Sequence, residues 1–292
     1  MIHVVGHTAV DHLFRVPALP QRHCSTYILD HAVYYGGGAA NIAAGISRLG
    51  GTATLISAVG PDFIGSDYER WMEKLGIRRQ LFVVPGARTP TAYMFTDEAD
   101  AQMTFFEWGA SETFASQDAP ALDFVHLATA DPDFNVRVAQ KSRFVSFDPG
   151  QDLLTYSHDQ IRQILARTSI LFANRHEIAT ISEGLSTSVD ELVARLPLAV
   201  ITLDAEGSLL YVDGETHRIP VIPVTMRDPT GAGDAYRAGF LTAFVRGYSP
   251  HACAKAGTVT ASFVVEQVGC QTNLPDWNMM TERYRQFFGE MK

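Results

Sequence analysis

Short apolar runs alternate with helix-forming, glycine-bounded segments along most of the chain. The apolar runs predict buried strands at residues 2–5, 52–59, 124–127, 144–147, 170–172 and 198–203. The segments between them predict helices at residues 39–49, 65–75 and 235–245, and near 133–141, 157–166 and 188–195. Strands that alternate with helices form βαβ units, so the pattern indicates an α/β fold with a mainly parallel sheet.

Two stretches break this alternation. Residues 27–35 and 81–106 look like paired strands with no helix between them, and residues 91–96 and 102–106 flank the polar turn 97–100 as in a hairpin. We expect one domain over residues 1–292, in which insertions near 14–36 and 81–108 form a small β-sheet lid over a site. The alternative is an edge insertion that has no role in a site.

Composition and charge narrow the classes of partner. The chain has 292 residues, 46% of them hydrophobic and 19% charged, as in ordinary folded proteins. The formal net charge of -9 argues against a nucleic-acid polymer as the partner, because such binding needs a clustered basic face. Three separated cysteines, no signal-peptide pattern and no apolar run of membrane-spanning length favour a cytoplasmic protein with reduced thiols and no membrane partner.

The segment 228–240 carries the most specific chemical signal. It reads DPTGAGDAYRAGF, a turn of small residues that leads into an apolar helix. The amides of Gly231, Ala232 and Gly233 would lie at a helix N-terminus, where they lack intrahelical acceptors and favour an anion. Asp234 places a carboxylate beside this anion site, which suits phosphoryl transfer because the carboxylate accepts a proton from the attacking hydroxyl.

Other interpretations of this segment are weaker. No Gly-Lys-Ser/Thr follows the glycines, so the segment is not a Walker A loop. Tyr236 stands where a dinucleotide fingerprint has its third glycine. The remaining alternative is that Asp234 only complements the helix dipole and that the glycines only make a turn.

A second glycine-rich segment makes a family resemblance plain. Residues 36–43 read GGGAANIA and lead into Arg48-Leu49-Gly50. Together with 228–240, in this order and spacing, they resemble the two signatures of the ribokinase, or PfkB-type, carbohydrate kinase family. The resemblance implies a three-layer α/β/α sandwich with a β-sheet lid, magnesium-ATP as the phosphate donor and Asp234 as the catalytic aspartate.

The resemblance also implies contacts for the acceptor. Gly37 and Gly38 belong to the first signature, and Asp11 lies where similar kinases hold substrate hydroxyls. A carboxylate with two acceptor oxygens suits a vicinal diol, and Asn41 would add a second polar contact. The alternatives are a loop-capping role for Asp11 and a polar helix-start role for Asn41.

The nucleotide side is implied in the same way. Asn174 and Glu177 match the family's Asn-x-x-Glu motif for magnesium, with contact through water favoured, although the same pattern is also a helix capping box. Asp204 stands where the family's nucleotide-binding turn usually has glycine, and Asp228 resembles a position that shapes a monovalent-cation (potassium) loop in some relatives. The residues expected at ATP are Asn174, Thr202, Asp204, Gly207, Thr230, Gly231 and Gly233.

Within the family, several strings are similar to those of archaeal nucleoside kinases. They are GHTA at 6–9, TFFEWGA at 104–110, SFDPGQDL at 146–153, GDAYRAG at 233–239 and GCQTNLP at 269–275. This similarity implies transfer of the γ-phosphate of ATP to the 5′-hydroxyl of a nucleoside. Phe106 and Trp108 would stack on the base, and Gln151 would face it. The alternatives are that the aromatic residues form the lid's own core or a dimer contact, and that Gln151 is a turn residue.

Two other functions remain open at this point, and so does the oligomeric state. A sugar kinase for a ribose- or fructose-like acceptor would share the fold and Asp234. A catalytically silent nucleotide or sugar sensor would also share the fold, although a sensor has no need of the intact Gly231-Ala232-Gly233-Asp234. A homodimer through the lid strands is expected, because an exposed sheet edge or face favours cover.

Overall fold

The computed structural model describes residues 1–99 and 101–292, and a nine-stranded sheet forms its centre. The strands among the described residues are β1 Ile2–Val5, β2 Ala9–Arg15, β3 Asp30–Gly36, β4 Ala53–Val59, β5 Arg78–Val83, β6 Thr91–Thr96, β7 Gln102–Glu107, β8 Phe124–Leu127, β9 Phe144–Phe147, β10 Thr168–Asn174, β11 Leu198–Thr202, β12 Ser208–Val212 and β13 Glu215–Ile219. The order in the large sheet is β13-β12-β11-β10-β9-β8-β1-β4-β5. All its neighbours pair in parallel except β11-β12 and β12-β13, which are antiparallel.

Helices cover both faces of the large sheet. They are α1 Gly38–Arg48, α2 Asp67–Lys74, α3 Pro132–Lys141, α4 His158–Leu165, α5 Arg175–Gly184, α6 Val189–Val193, α7 Ala232–Val245, α8 Pro250–Val264 and α9 Trp277–Phe288. Successive strand residues belong to opposite cores: Val4 packs with the α1, α7 and α8 side, and Val5 with the α3, α4 and α5 side. The predicted three-layer α/β/α fold with a mainly parallel sheet is confirmed.

Helix α7 is held close to its two neighbours by glycines. A Cβ added to Gly239 would lie 2.3 Å from Thr260 Oγ1 of α8, and one added to Gly45 of α1 would lie 2.6 Å from Ala238 Cβ. Only glycine permits backbones to approach this closely. The start of α7, which carries Asp234, is therefore fixed against α1 and α8 rather than left on a loose surface helix.

A separate four-stranded sheet has the order β3-β2-β6-β7. The residues that form this small sheet differ from the predicted insertions in three ways. Strand β2 begins at Ala9 rather than near 14, residues 27–29 lie outside any strand, and residues 81–83 belong to β5 of the large sheet. Residues 81–83 continue the parallel register of β4, so their apolar character serves the main core. Asp100 of the predicted turn lies outside the described residues.

The antiparallel edge of the large sheet was not predicted. The hairpin β12-β13 turns at Asp213 and Gly214, both of which have positive φ. Strand β13 is largely polar and exposed, so it lacks the continuous apolar run that marks the central strands. Among the described residues, no helix combines the length and apolar character that a membrane span requires.

Candidate functional site

A cavity of about 910 Å³ lies between the carboxyl ends of the large-sheet strands and one face of the small sheet. It brings together almost all of the residues that the sequence singled out. Those lining it are Asp11, Gly37, Gly38, Asn41, Phe106, Gln151, Asn174, Glu177, Thr202, Asp204, Gly207, Thr230, Gly231, Ala232, Gly233 and Asp234. Trp108 is absent from its walls: its ring meets His7 edge-on at 4.9 Å and supports Phe106 from behind.

Asp234 lies in the first turn of α7 and keeps part of its surface open to the cavity. Asn41 Nδ2 donates a hydrogen bond of 2.9 Å to Asp234 Oδ2. Removal from bulk water raises the pKa of Asp234 to about 6, although the positive charge of Arg237 and the Asn41 hydrogen bond both oppose this rise. The carboxylate is therefore poised to accept a proton near neutral pH.

The turn before α7 presents backbone amides beside this carboxylate. Gly231 has φ +79°, and a Cβ there would lie 2.8 Å from Cys270 Cβ, so both conformation and packing require glycine. The prediction of three free amides needs one correction, because the Ala232 amide donates to the Pro229 carbonyl at 3.1 Å. The Gly231 and Gly233 amides remain as candidate phosphate donors at the helix start.

Asp228 organises the same turn. Its Oδ1 accepts the Thr230 amide and its Oδ2 accepts the Gly269 amide, each at 2.9 Å. The carboxylate therefore ties the start of the phosphate turn to the segment after α8. These hydrogen bonds shape the loop before α7, and the use of potassium stays a prediction.

Asp11 is a buried carboxylate on β2 that faces the cavity. A Cβ on the adjacent Gly36 would lie 1.9 Å from its Oδ2, so glycine leaves room for the carboxylate. Burial raises the pKa of Asp11 to about 7, and the charges of Asp234 and Asp228 add to the effect. In the described part of the chain no donor contacts this carboxylate, which leaves its oxygens available to hydroxyl groups of a ligand.

Arg237 is a site residue to which the sequence analysis assigned no role. It follows Asp234 by one helical turn on the buried face of α7 and forms an ion pair with the Asp148 carboxylate after β9. Asp148, Asp234 and Glu177 all favour its charge and keep its pKa above the ordinary range, although burial opposes this. The available signal was a guanidinium within an otherwise apolar helix, because such a charge is buried only when it has partners.

Asn174 and Glu177 form the predicted capping box at the start of α5. Asn174 Oδ1 accepts the amides of His176 and Glu177 at 2.8 and 2.9 Å, and Glu177 Oε2 accepts the Asn174 amide at 2.7 Å. Burial and the charge of Asp148 raise the pKa of Glu177 to about 7. Only the second Glu177 oxygen remains free for a cation, and the described residues contain no cluster of three metal-ligating side chains.

The end of the cavity beyond α5 has a turn and an apolar wall. Asp204 has φ +53°, a left-handed conformation that glycine adopts most easily. Aspartate also tolerates this conformation, so the turn forms without glycine. Arg175 braces the turn by donating to the Leu203 carbonyl at 2.6 Å and to Glu206 Oε1 at 2.8 Å. The apolar wall was not predicted, because such contacts carry no motif; it consists of Val221, Ile222, Val224, Met226 and Val265.

His7 connects the two sheets at the opposite end of the cavity. Its Nε2 lies 2.9 Å from Asp152 Oδ2 and its Nδ1 lies 2.9 Å from Ser111 Oγ. The ring also packs against Phe106, with centroids 5.0 Å apart. His7 thereby fixes the turn that carries Gln151 and supports the aromatic wall.

Comparison with known proteins agrees with this geometry. The model of the pfkB family of carbohydrate kinases matches residues 1–277. The chain belongs to this family. Its members are ATP-dependent kinases, so the predicted family and enzyme class are both confirmed.

The similar proteins cover the chain almost completely. A nucleoside kinase of Methanocaldococcus jannaschii is 44% identical over 96% of this chain and 95% of that protein. One of Methanothermobacter thermautotrophicus is 41% identical over 98% and 96%. The crystal structure of the M. jannaschii nucleoside kinase has a TM-score of 0.93 at 43% identity and covers 98% of both chains. A Burkholderia thailandensis nucleoside kinase with inosine has a TM-score of 0.90 at 23% identity and shares the fold.

Removal of the buried guanidinium tests the charge balance of the site. We expect Arg237→Leu to lower the free energy of unfolding by about 3–5 kcal/mol, because it leaves the buried Asp148 carboxylate without its partner. Adding Asp148→Leu should restore part of this loss. Urea unfolding followed by circular dichroism measures both effects.

The exposed pair Arg143–Asp123 offers a control for that experiment. Its atoms are 3.5 Å apart and both side chains are more than four-fifths exposed. Arg143→Leu should leave stability close to that of the wild type. Equal effects of Arg237→Leu and Arg143→Leu would contradict the charge balance described for the site.

Proposed function

We propose that this kinase transfers the γ-phosphate of ATP to the 5′-hydroxyl of a nucleoside. The proposal rests on one observation above all: nearly full-length identity of 41–44% with two nucleoside kinases. The cavity supports it, because one continuous space is lined by Asp234, by acceptor-type residues on the small sheet and by the nucleotide turn.

The small sheet offers a surface suited to a nucleoside. Its inner face presents Ala92, Met94 and Phe106 to the cavity, beside the polar side chains of Gln102 and Thr104. Stacking of a base on an aromatic ring contributes about 1–3 kcal/mol where it has been measured. Phe106 is the proposed stacking partner, and Trp108 has a supporting role.

The ribose would lie between Asp11 and Asn41. The two Asp11 oxygens suit the vicinal 2′- and 3′-hydroxyls, while Gly37 and Gly38 allow the sugar to approach the backbone. Gln151 reaches the cavity from the turn after β9 and is proposed to contact the base edge. This placement directs the 5′-hydroxyl towards Asp234.

In the proposed reaction Asp234 accepts the proton of the 5′-hydroxyl as that oxygen attacks the γ-phosphorus. The Gly231 and Gly233 amides hold the transferring group at the start of α7. Magnesium bound to ATP would supply charge neutralisation, and the free Glu177 oxygen would contact it through water. The small sheet would close over the ligands and exclude water, which limits ATP hydrolysis.

A substrate panel tests the acceptor class. Adenosine, guanosine, inosine, cytidine, ribose and fructose are each incubated with ATP and magnesium, with and without potassium, and ADP formation is measured. We expect turnover of one or more nucleosides and of neither free sugar. Turnover of ribose or fructose alone would contradict the nucleoside proposal and favour a sugar kinase; nucleoside binding without turnover would favour a sensor.

We also propose that the protein is cytoplasmic and that its thiols stay reduced.

A homodimer through the outer face of the small sheet is proposed as well. This face carries Phe14, which stacks on His31 and Phe95 with centroids 4.3 and 4.7 Å apart. Val33 and Phe105 on the same face are 52% and 55% exposed. The inner face already covers the cavity, so the outer one is left for a second copy.

A charge on the outer face tests this assembly. Val33→Lys should convert a dimer to a monomer, because it places an ammonium group in an apolar contact. Val245→Lys is the control, because Val245 is similarly exposed, at 47%, at the end of α7. Light scattering after size-exclusion chromatography gives the masses; a wild-type protein at the mass of one chain would contradict the proposal.

A further inference from the structure

A chain of buried and partly buried hydrogen bonds runs from α2 to Asp234. Trp71 Nε1 donates to Gln271 Oε1 at 2.9 Å, and Gln271 Nε2 donates to Asn41 Oδ1 at 2.9 Å. Asn41 Nδ2 then donates to Asp234 Oδ2 at 2.9 Å. The four residues lie 30 or more positions apart along the sequence and meet only in the folded protein.

The direction of this chain is fixed at its first member. An indole N–H can only donate, so the Gln271 oxygen has to face Trp71 and the Gln271 amino group has to face Asn41. Gln271 Nε2 also donates to Tyr68 Oη at 2.9 Å, while the Tyr68 hydroxyl donates to the Gly36 carbonyl at 2.7 Å. These contacts leave Gln271 one orientation in which every polar atom has a partner.

The consequence for Asn41 follows directly. Its oxygen is held by Gln271, so its amino group points at Asp234. A reversed Asn41 amide would place an oxygen 2.9 Å from a carboxylate oxygen and remove the donor. An ionised Asp234 only accepts and so favours the same orientation, while Gln271, itself oriented by Trp71, holds it from the other side of the amide.

We infer that Trp71 and Gln271 are positioning residues that set the direction of the Asn41 amide and thereby keep Asp234 ionised for proton acceptance. The inference rests on the proposed role of Asp234 as the base. Neither residue touches the reacting atoms: Gln271 is buried behind Asn41, and Trp71 is one residue further from the cavity. Their effect on the reaction is transmitted through hydrogen-bond direction.

Other charged groups also influence the ionisation of Asp234, and the variants described below leave them unchanged. Arg237 on α7 favours the ionised form, and Asp148 after β9 opposes it. Asp11 on β2 is coupled to Asp234 by charge. Burial raises the pKa of the nearby Cys270 thiol, and the charges of Asp11 and Asp234 add to the effect. We therefore expect the acidic limb of the pH profile to reflect Asp234 and Asp11 together, between about pH 6 and 7.

The test compares kcat/KM across pH for the wild type and three variants. Trp71→Phe removes the indole donor that orients Gln271, and Gln271→Met removes the side chain that links Trp71 to Asn41. Gln271→Glu offers Asn41 acceptors only, so that Asn41 turns its amino group away from Asp234. Trp277→Phe is the matched control, because Trp277 is also half-buried but packs against Arg246, away from the chain of hydrogen bonds. Thermal unfolding shows that each variant folds.

Loss of a donor to the ionised form raises the pKa of Asp234, so the acidic limb should move to higher pH. We expect a shift of about half to one pH unit for Trp71→Phe and Gln271→Met, and a larger one for Gln271→Glu. Near pH 6 this lowers kcat/KM by about three- to tenfold, while activity at pH 8 changes little for Trp71→Phe. Trp277→Phe should keep the wild-type limb.

Two outcomes would overturn the inference. One is an unshifted acidic limb in folded Gln271→Met and Trp71→Phe. The other is an equal loss of activity at every pH, which is what a merely structural role produces. Failure of the proposal that Asp234 is the base can be distinguished from these outcomes, because it would appear as an active Asp234→Asn enzyme whatever the variants of Trp71 and Gln271 do.

Discussion

The site depends on a carboxylate that is held away from bulk water yet remains ionisable. Asp234 loses hydration at the start of α7, which raises its pKa, and the nearby Arg237 and the Asn41 amide limit this rise. Both partners need exact placement, because a charge in a low-dielectric site is stabilised only by groups already in position. The close glycine-mediated packing of α7 against α1 and α8 supplies that placement.

The second constraint is that the small sheet presents different side chains on its cavity face and on its outer face. Alternate residues of β2 and β6 point to opposite faces, so Asp11 and Met94 reach the cavity while Phe14 and Phe95 face outward. A shift in register by one residue would exchange these sets. On the proposed roles of the two faces, recognition of the acceptor and association with a second copy would depend on one register.

Much of the fold and of the site was predictable, for physical reasons that particular residues show. Buried parallel strands leave continuous apolar runs, and Gly231 to Asp234 needs small residues and a carboxylate in fixed order. The hairpin β12-β13 has a local signal in Asp213-Gly214 that the sequence analysis did not use, whereas the apolar wall near Val221 and the role of Gln271 carry no such local pattern. Gln271 acts through partners on α1 and α2 that are some 200 residues away, so only the folded chain shows its function.

The most direct test of the account is the turnover of Asp234→Asn. The isosteric amide can still accept the Asn41 hydrogen bond, so folding and nucleoside binding should persist in thermal unfolding and calorimetry. At pH 8, with saturating ATP, magnesium and the preferred nucleoside, we expect kcat to fall by about 10²–10⁴-fold, because the proton acceptor is gone. A folded Asp234→Asn enzyme with turnover close to that of the wild type would contradict the account.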